Sequence, residues 1–99
     1  MVASPAQAAK SECTSTGWLC EWGSANYSGT FAYWDPSGSL TTECRKIGSY
    51  YPRSAYNRAI GTYRYYSASN CTGSSVTVAS YGSAPNFGFA AHSFRFLTL

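Results

Sequence analysis

From residue 17 to the C-terminus, short runs of aromatic and β-branched residues alternate with clusters of Gly, Ser, Pro and Asn, which is a pattern of strands separated by turns. Period-two alternation shows in Phe31-Ala32-Tyr33-Trp34, in Thr62-Tyr63-Arg64-Tyr65 and in Phe94-Arg95-Phe96-Leu97, so each of these segments offers one face to a shared core. No window of about 11 residues carries a helical period. The pattern predicts strands over 18–22, 30–34, 40–44, 54–60, 62–66, 75–80 and 93–99, and with them an all-β fold.

Two stretches have nearly the same reading. Trp22-Gly23-Ser24-Ala25-Asn26-Tyr27-Ser28-Gly29 and Tyr66-Ser67-Ala68-Ser69-Asn70-Cys71-Thr72-Gly73 each run from an aromatic residue through small and polar residues to Asn, and then to a hydroxyl residue and Gly. Each is followed by a second strand and, after a loop, by a strand that opens on Ser: Ser54-Ala55-Tyr56 in one copy, Ser93-Phe94-Arg95 in the other. The chain therefore reads as two copies of one four-stranded Greek key, about 13–60 and 61–99. A single key has an apolar face that it cannot cover alone, so the two must pack face to face as a sandwich. Gly29 and Gly73 suit the positive φ of a tightly folded hairpin, and the missing side chain leaves room for an aromatic ring over the backbone.

At 99 residues the chain makes one domain, here 11–99, and its 17% aromatic, 44% hydrophobic and 11% charged residues describe a globular chain with no membrane span. The net charge of +3 comes from basic residues spread along the sequence, which is a weak basis for nucleic-acid binding. Residues 1–10 carry Ala6-Gln7-Ala8, which looks like the small-residue end of a signal peptide but lacks an apolar stretch before it. They read as a leader remnant or a disordered tail. Four cysteines, without a Cys-x-x-Cys pair and with a single His, point to disulfides in a secreted protein rather than to a metal site.

Catalysis finds little to work with. The acids Glu12, Glu21, Asp35 and Glu43 are scattered, whereas acid–base work by carboxylates needs two that face each other. His92 stands alone beside the Ser93 that closes the second copy and reads as structural, and no Gly-x-Ser-x-Gly elbow marks a nucleophile. The chain is expected not to be an enzyme and to need no cofactor. Asn26-Tyr27-Ser28 and Asn70-Cys71-Thr72 are formal glycosylation sequons, but Asn at these equivalent positions reads first as a hairpin terminator.

Aromatic-x4-aromatic-x-Gly with a later Ser resembles the signature of βγ-crystallin Greek keys, and Trp22, Tyr27, Gly29 and Ser54 meet it. Tyr66, Gly73 and Ser93 follow it in the second copy, where Cys71 takes the place of the aromatic residue. Cys13, Gly17-Trp18-Leu19-Cys20-Glu21-Trp22, Cys44, Asn57-Arg58 and Asn70-Cys71-Thr72-Gly73 look like the small secreted actinobacterial proteins grouped with the Streptomyces metalloproteinase inhibitor. The resemblance spans 13–99 and implies a βγ-crystallin-like sandwich that inhibits an extracellular metallo- or serine protease. That family's inhibitor presents its reactive bond on a loop flanked by two cysteines in the second key; here that region holds only Cys71, so the reactive residues do not carry over. Calcium binding, common in βγ-crystallin domains, would use the positions near Ser49 and Tyr50 and near Gly88 and Phe89; none is a carboxylate, and no metal site is expected.

Of the three pairings open to four cysteines, the favoured one joins Cys13 to Cys20 across a short turn and Cys44 to Cys71 between the two keys. Cys71 would then spend the ring position of the second hairpin on a crosslink. Tyr50-Tyr51-Pro52-Arg53 is the candidate contact loop, because Pro52 fixes an extended backbone and Tyr and Arg carry binding energy at interfaces. Tyr63 and Tyr65 are weaker surface candidates, since alternate residues of a strand must point inward, and 14–19 and 83–86 read as further exposed loops. The expected partner is an extracellular protease met by a monomer. The alternatives are a killer-toxin-like antifungal or cell-wall glycan-binding module, and a structural envelope protein without a reactive site.

Overall fold

The computed structural model describes residues 10–36 and 40–99, so the leader reading of residues 1–10 lies, but for Lys10, outside the described residues. Among the described residues eight strands follow in order: β1 (Leu19–Ser24), β2 (Ser28–Trp34), β3 (Arg45–Lys46), β4 (Ser54–Asn57), β5 (Thr62–Tyr66), β6 (Ser75–Val78), β7 (Ser83–Ala84) and β8 (Ser93–Thr98). They form two antiparallel sheets of four, ordered β2-β1-β4-β7 and β3-β8-β5-β6. Each repeat keeps three strands in its own sheet and sends its third strand to the other: β3 pairs with β8, and β7 with β4.

The repeat is visible atom by atom. Tyr27 and Cys71, at the same repeat position, both adopt left-handed backbone with φ of 58° and 59°, and Gly29 and Gly73 follow at 82° and 87°. The closing serines bind these hairpins in the same way. Ser54 Oγ accepts the Tyr27 N–H at 3.1 Å and donates to Ser24 O at 2.8 Å, while Ser93 Oγ accepts the Cys71 N–H at 2.9 Å and donates to Ala68 O. Both serines are fully buried. A Cβ at either glycine would meet a serine side chain, Ser24 at Gly29 and Ser67 at Gly73.

Three expected strands change. Segment 40–44 is exposed and irregular; its one large apolar residue, Leu40, finds no cover, and pairing starts only at Arg45, opposite Phe94. The strand from Ser54 stops at Asn57 because the Asn57 side chain turns the chain, accepting the Ala59 N–H and donating to Gly61 O. Strand β6 likewise ends at Val78 rather than 80. The loop reading of 83–86 gives way at its start, where Ser83 and Ala84 add the edge strand β7.

Period-two alternation places Leu19 and Glu21 of β1 toward the second sheet and Cys20 and Trp22 outward. Leu19 packs with Ala55, Tyr63, Tyr65, Val78, Phe87, Phe94 and Phe96 in the main core between the sheets. Trp22 sits in a second cluster with the Cys13–Cys20 disulfide, Trp18, Tyr27, Phe31 and Tyr56, so both faces of β1 are covered. The Lys10 ammonium lies 4.6 Å from the centre of the Tyr56 ring and 5.1 Å from that of Tyr27, at the edge of this cluster. The second disulfide, Cys44–Cys71, ties the segment before β3 to the hairpin between β5 and β6.

Candidate functional site

The loop from Ile47 to Arg53 joins β3 to β4 and closes one end of the sandwich. Its backbone is held from several sides: Ile47 N–H donates to His92 O, Arg53 N–H to Trp22 O at 2.8 Å, Ala91 N–H to Pro52 O at 2.8 Å, and Phe87 N–H to Arg53 O at 2.9 Å. Tyr50 and Tyr51 both lie in left-handed backbone, with φ of 52° and 31°. For residues with a side chain this costs about 1–3 kcal/mol each, so the surrounding contacts must over-determine the conformation.

The four candidate residues divide into two pairs. Pro52 is buried, and Tyr50 turns inward against the main core, where its hydroxyl donates to Glu21 Oε1 at 2.7 Å. Tyr51 is 40% exposed and stacks on the His92 ring at 4.1 Å, and Arg53 is exposed. Because the Arg53 N–H and the Pro52 and Arg53 carbonyls are already bonded within the molecule, the surface offers side chains here rather than a backbone edge. Tyr63 and Tyr65, the other candidates, are buried in the main core and present nothing to a partner.

Glu21 has a role that its sequence context did not disclose. It is 1% exposed, between the sheets, and accepts hydroxyl hydrogen bonds from Tyr50 of the loop and from Tyr65 of β5 in the opposite sheet. Burial pushes its carboxyl up to about 7, against the opposing pull of the Tyr65 and Tyr50 hydroxyls. The Tyr50 and Tyr65 hydroxyls are themselves raised, by burial first and by the Glu21 charge second. Burial also raises the Tyr63 hydroxyl, which has no hydrogen-bond partner. The signal for Glu21 was an acid at an inward position of a strand; its two partners lie too far along the chain to be read as such.

Glu21 and Tyr50 line an opening of about 410 Å³ together with Glu43, Arg45 and Lys46. The Arg45 guanidinium lies 4.6 Å from the centre of the Trp34 ring. A second groove, of about 570 Å³, runs past Lys10, Asn26, Tyr27, Tyr56 and Arg58. Among the described residues no group of three or more His, Cys, Asp or Glu side chains could hold a metal ion. Asn26 and Asn70 are exposed; Asn26 donates its backbone N–H to Pro85 O, and Asn70 Oδ1 accepts the Thr72 hydroxyl.

A small two-sheet protein with two disulfides, a braced loop and a buried acid met by tyrosines rather than by a second acid has the build of a binding protein. Residues 6–78 match the model of peptidase inhibitor family I36, and the chain belongs to that family. The family is one of peptidase inhibitors, not enzymes, and the matched segment holds all four cysteines and the 47–53 loop. No curated protein matches the chain significantly.

Proposed function

We propose that this protein is a secreted inhibitor that docks on an extracellular peptidase through loop 49–53, with Tyr51 and Arg53 as the contacting side chains and the half-buried Tyr50 and buried Pro52 as their supports. The observation that carries this reading is the bracing of the loop: three backbone hydrogen bonds at Pro52 and Arg53 hold two exposed side chains of the types that dominate interface energetics. Binding then orders little, and preorganisation supplies affinity. The two disulfides fit an oxidising, extracellular setting. The exchange of β3 and β7 between the sheets supports reading the repeats as Greek keys of βγ-crystallin type.

The test titrates a metallopeptidase, thermolysin, and a serine peptidase, subtilisin, with the purified chain. Inhibition of one of them, weakened about tenfold or more by Tyr51→Ala and by Arg53→Ala, is the expected result. Inhibition that neither substitution changes removes the loop from the contact. No inhibition of either enzyme at micromolar concentration favours a second reading, cell-wall glycan binding. One feature supports that alternative: Trp18 and Tyr33 stack in parallel at 3.8 Å on the outer face of the first sheet, with Tyr33 51% exposed, a flat platform of the kind sugar rings lie on. Retention on chitin or glucan, abolished by Tyr33→Ala, would establish it.

A further inference from the structure

The two repeats put opposite chemistry on matching outer faces. In the first sheet Cys20 of β1 pairs with Tyr33 of β2 and with Tyr56 of β4, and the face carries the packed cluster around Trp22. In the second sheet the equivalent residue, two places before Tyr66, is Arg64, which pairs with Thr77 of β6 and with Arg95 of β8. Their neighbours Tyr63, Tyr65, Phe94 and Phe96 lie in the main core, so period two turns both arginines outward. Lys46 of β3 is exposed and pairs with Ser93, which puts it on the same face by register. Three cations therefore stand on three neighbouring strands, with stems rising from points that span about 10 Å.

The fold makes little use of these charges. Arg64 Nε donates to Thr77 Oγ1 at 2.9 Å, which leaves its two terminal nitrogens unengaged. Arg95 lies with its guanidinium 5.8 Å from the centre of the Tyr66 ring, and its buried Nε has no hydrogen-bond partner. Its stem helps to cover Tyr66; its charge meets no acid. The four acids of the chain are placed elsewhere: Glu12 accepts from the Trp22 indole, Glu21 is between the sheets, Glu43 lines the opening beside it, and Asp35 follows β2 of the first sheet. Like charges directly opposite each other on paired strands are destabilising, and one oxyanion set between two guanidiniums would offset that cost.

We propose that the outer face of the second sheet is a docking surface for an acidic segment of the peptidase, with Arg64 and Arg95 sharing one carboxylate and Lys46 meeting a second. The peptidase as its source rests on the function proposed above; the carboxylate site itself rests neither on that nor on loop 49–53. Two observations favour a polypeptide over a polyanion such as nucleic acid or a sulfated glycan. Affinity for a polyanion grows with the number of charges neutralised, and three cations are few, whereas a short acidic segment needs no more. Membership of a peptidase inhibitor family also gives the chain a protein as its partner.

The probe is an extended peptide of alternating Glu and Ser, blocked at both ends, titrated into the oxidised protein at constant ionic strength. The arginine Nε–H and β5 backbone signals are followed by nitrogen NMR. Those of Arg64 and Arg95 should move together with a Kd of about 1 mM, and binding should weaken about fivefold in Arg64→Gln and in Arg95→Met, which keeps the stem over Tyr66. Both variants should unfold at the same or a higher urea midpoint, because each ends a like-charge confrontation. A lower midpoint in both would show that the fold itself uses the charges, and overturns the proposal. So does an absence of movement at about 10 mM peptide, and so does equal binding of the matched Gln and Ser peptide. A sulfated oligosaccharide of equal charge that binds more tightly overturns the polypeptide occupant. Against thermolysin or subtilisin, whichever the chain inhibits, the double variant should inhibit about tenfold less well. Unchanged inhibition by a double variant that has lost the peptide overturns the peptidase as occupant. Peptide binding without inhibition of either enzyme supports the carboxylate site and counts against the peptidase reading instead.

Discussion

Replacing Ser54 or Ser93 by Ala isolates the bond that makes each repeat close on its own hairpin. Either hydroxyl serves two backbone groups, the N–H at Tyr27 or Cys71 and the carbonyl at Ser24 or Ala68. Alanine fits the space of a fully buried serine without a clash, so the loss is confined to hydrogen bonding. Each stranded backbone group costs about 1–3 kcal/mol when shut from water, and because the hairpins are part-buried the lower half of that range applies, about 2–4 kcal/mol for the pair. For a domain of this size that is a fall in Tm of roughly 10–25 °C. Thermal and urea unfolding of the oxidised protein measure it. The two variants should match within about 1 kcal/mol in global stability, because the bonds are equivalent, yet differ locally. Hairpin 24–28 has no crosslink and should lose amide protection in Ser54→Ala, whereas the hairpin at Cys71 stays tethered to Cys44 in Ser93→Ala. Losses under about 0.5 kcal/mol in both variants would refute the argument, since that is the range of substitutions touching nothing of importance.

Gly61→Ala should cost about 2–4 kcal/mol in urea unfolding, because a Cβ there would meet Phe96 Cε1 at 2.5 Å on a backbone with φ of +106°; Gly48→Ala, with nothing within 4 Å of its Cβ, should stay within about 0.5 kcal/mol. Removing the Cys44–Cys71 bridge by paired Ala substitutions frees a loop with a sequence separation of 27 and should lower stability by about 3–4 kcal/mol, read as a shift in urea midpoint. Glu21→Gln should abolish a pH dependence: the unaltered protein holds its full Glu21 contribution below 4.5 and loses up to about 3 kcal/mol as pH rises through about 7, while the variant does not. Parallel stability profiles for the two proteins from pH 4 to 8 would contradict the placement of Glu21 between the sheets.

The division between what was readable and what was not follows the range of the interactions. The hairpins were legible because each is local: aromatic, Asn, hydroxyl and Gly occur within eight residues, and the closing Ser recurs in both copies. The favoured disulfide pairing followed from position, since Cys13 and Cys20 flank a short turn and Cys44 and Cys71 lie in different copies. Strands β3 and β7 were not legible, being two residues long and defined only by the sheet that receives them. Loop 49–53 was singled out as a candidate contact from its residue types, and those types did not show that Pro52 is buried and Tyr50 turns inward, because Tyr and Pro in a loop look alike whether they face a partner or seal the end of a core. What separates them is Glu21. A strand that reads Leu19, Glu21 on its inward face demands a hydrogen-bond donor from elsewhere for the acid, and the tyrosines that answer come from a loop and from the opposite sheet. Once Tyr50 is spent on that carboxyl, the large side chains that the loop still turns to solvent are Tyr51 and Arg53, so the buried acid sorts the loop's two tyrosines into one that seals the core and one that faces outward.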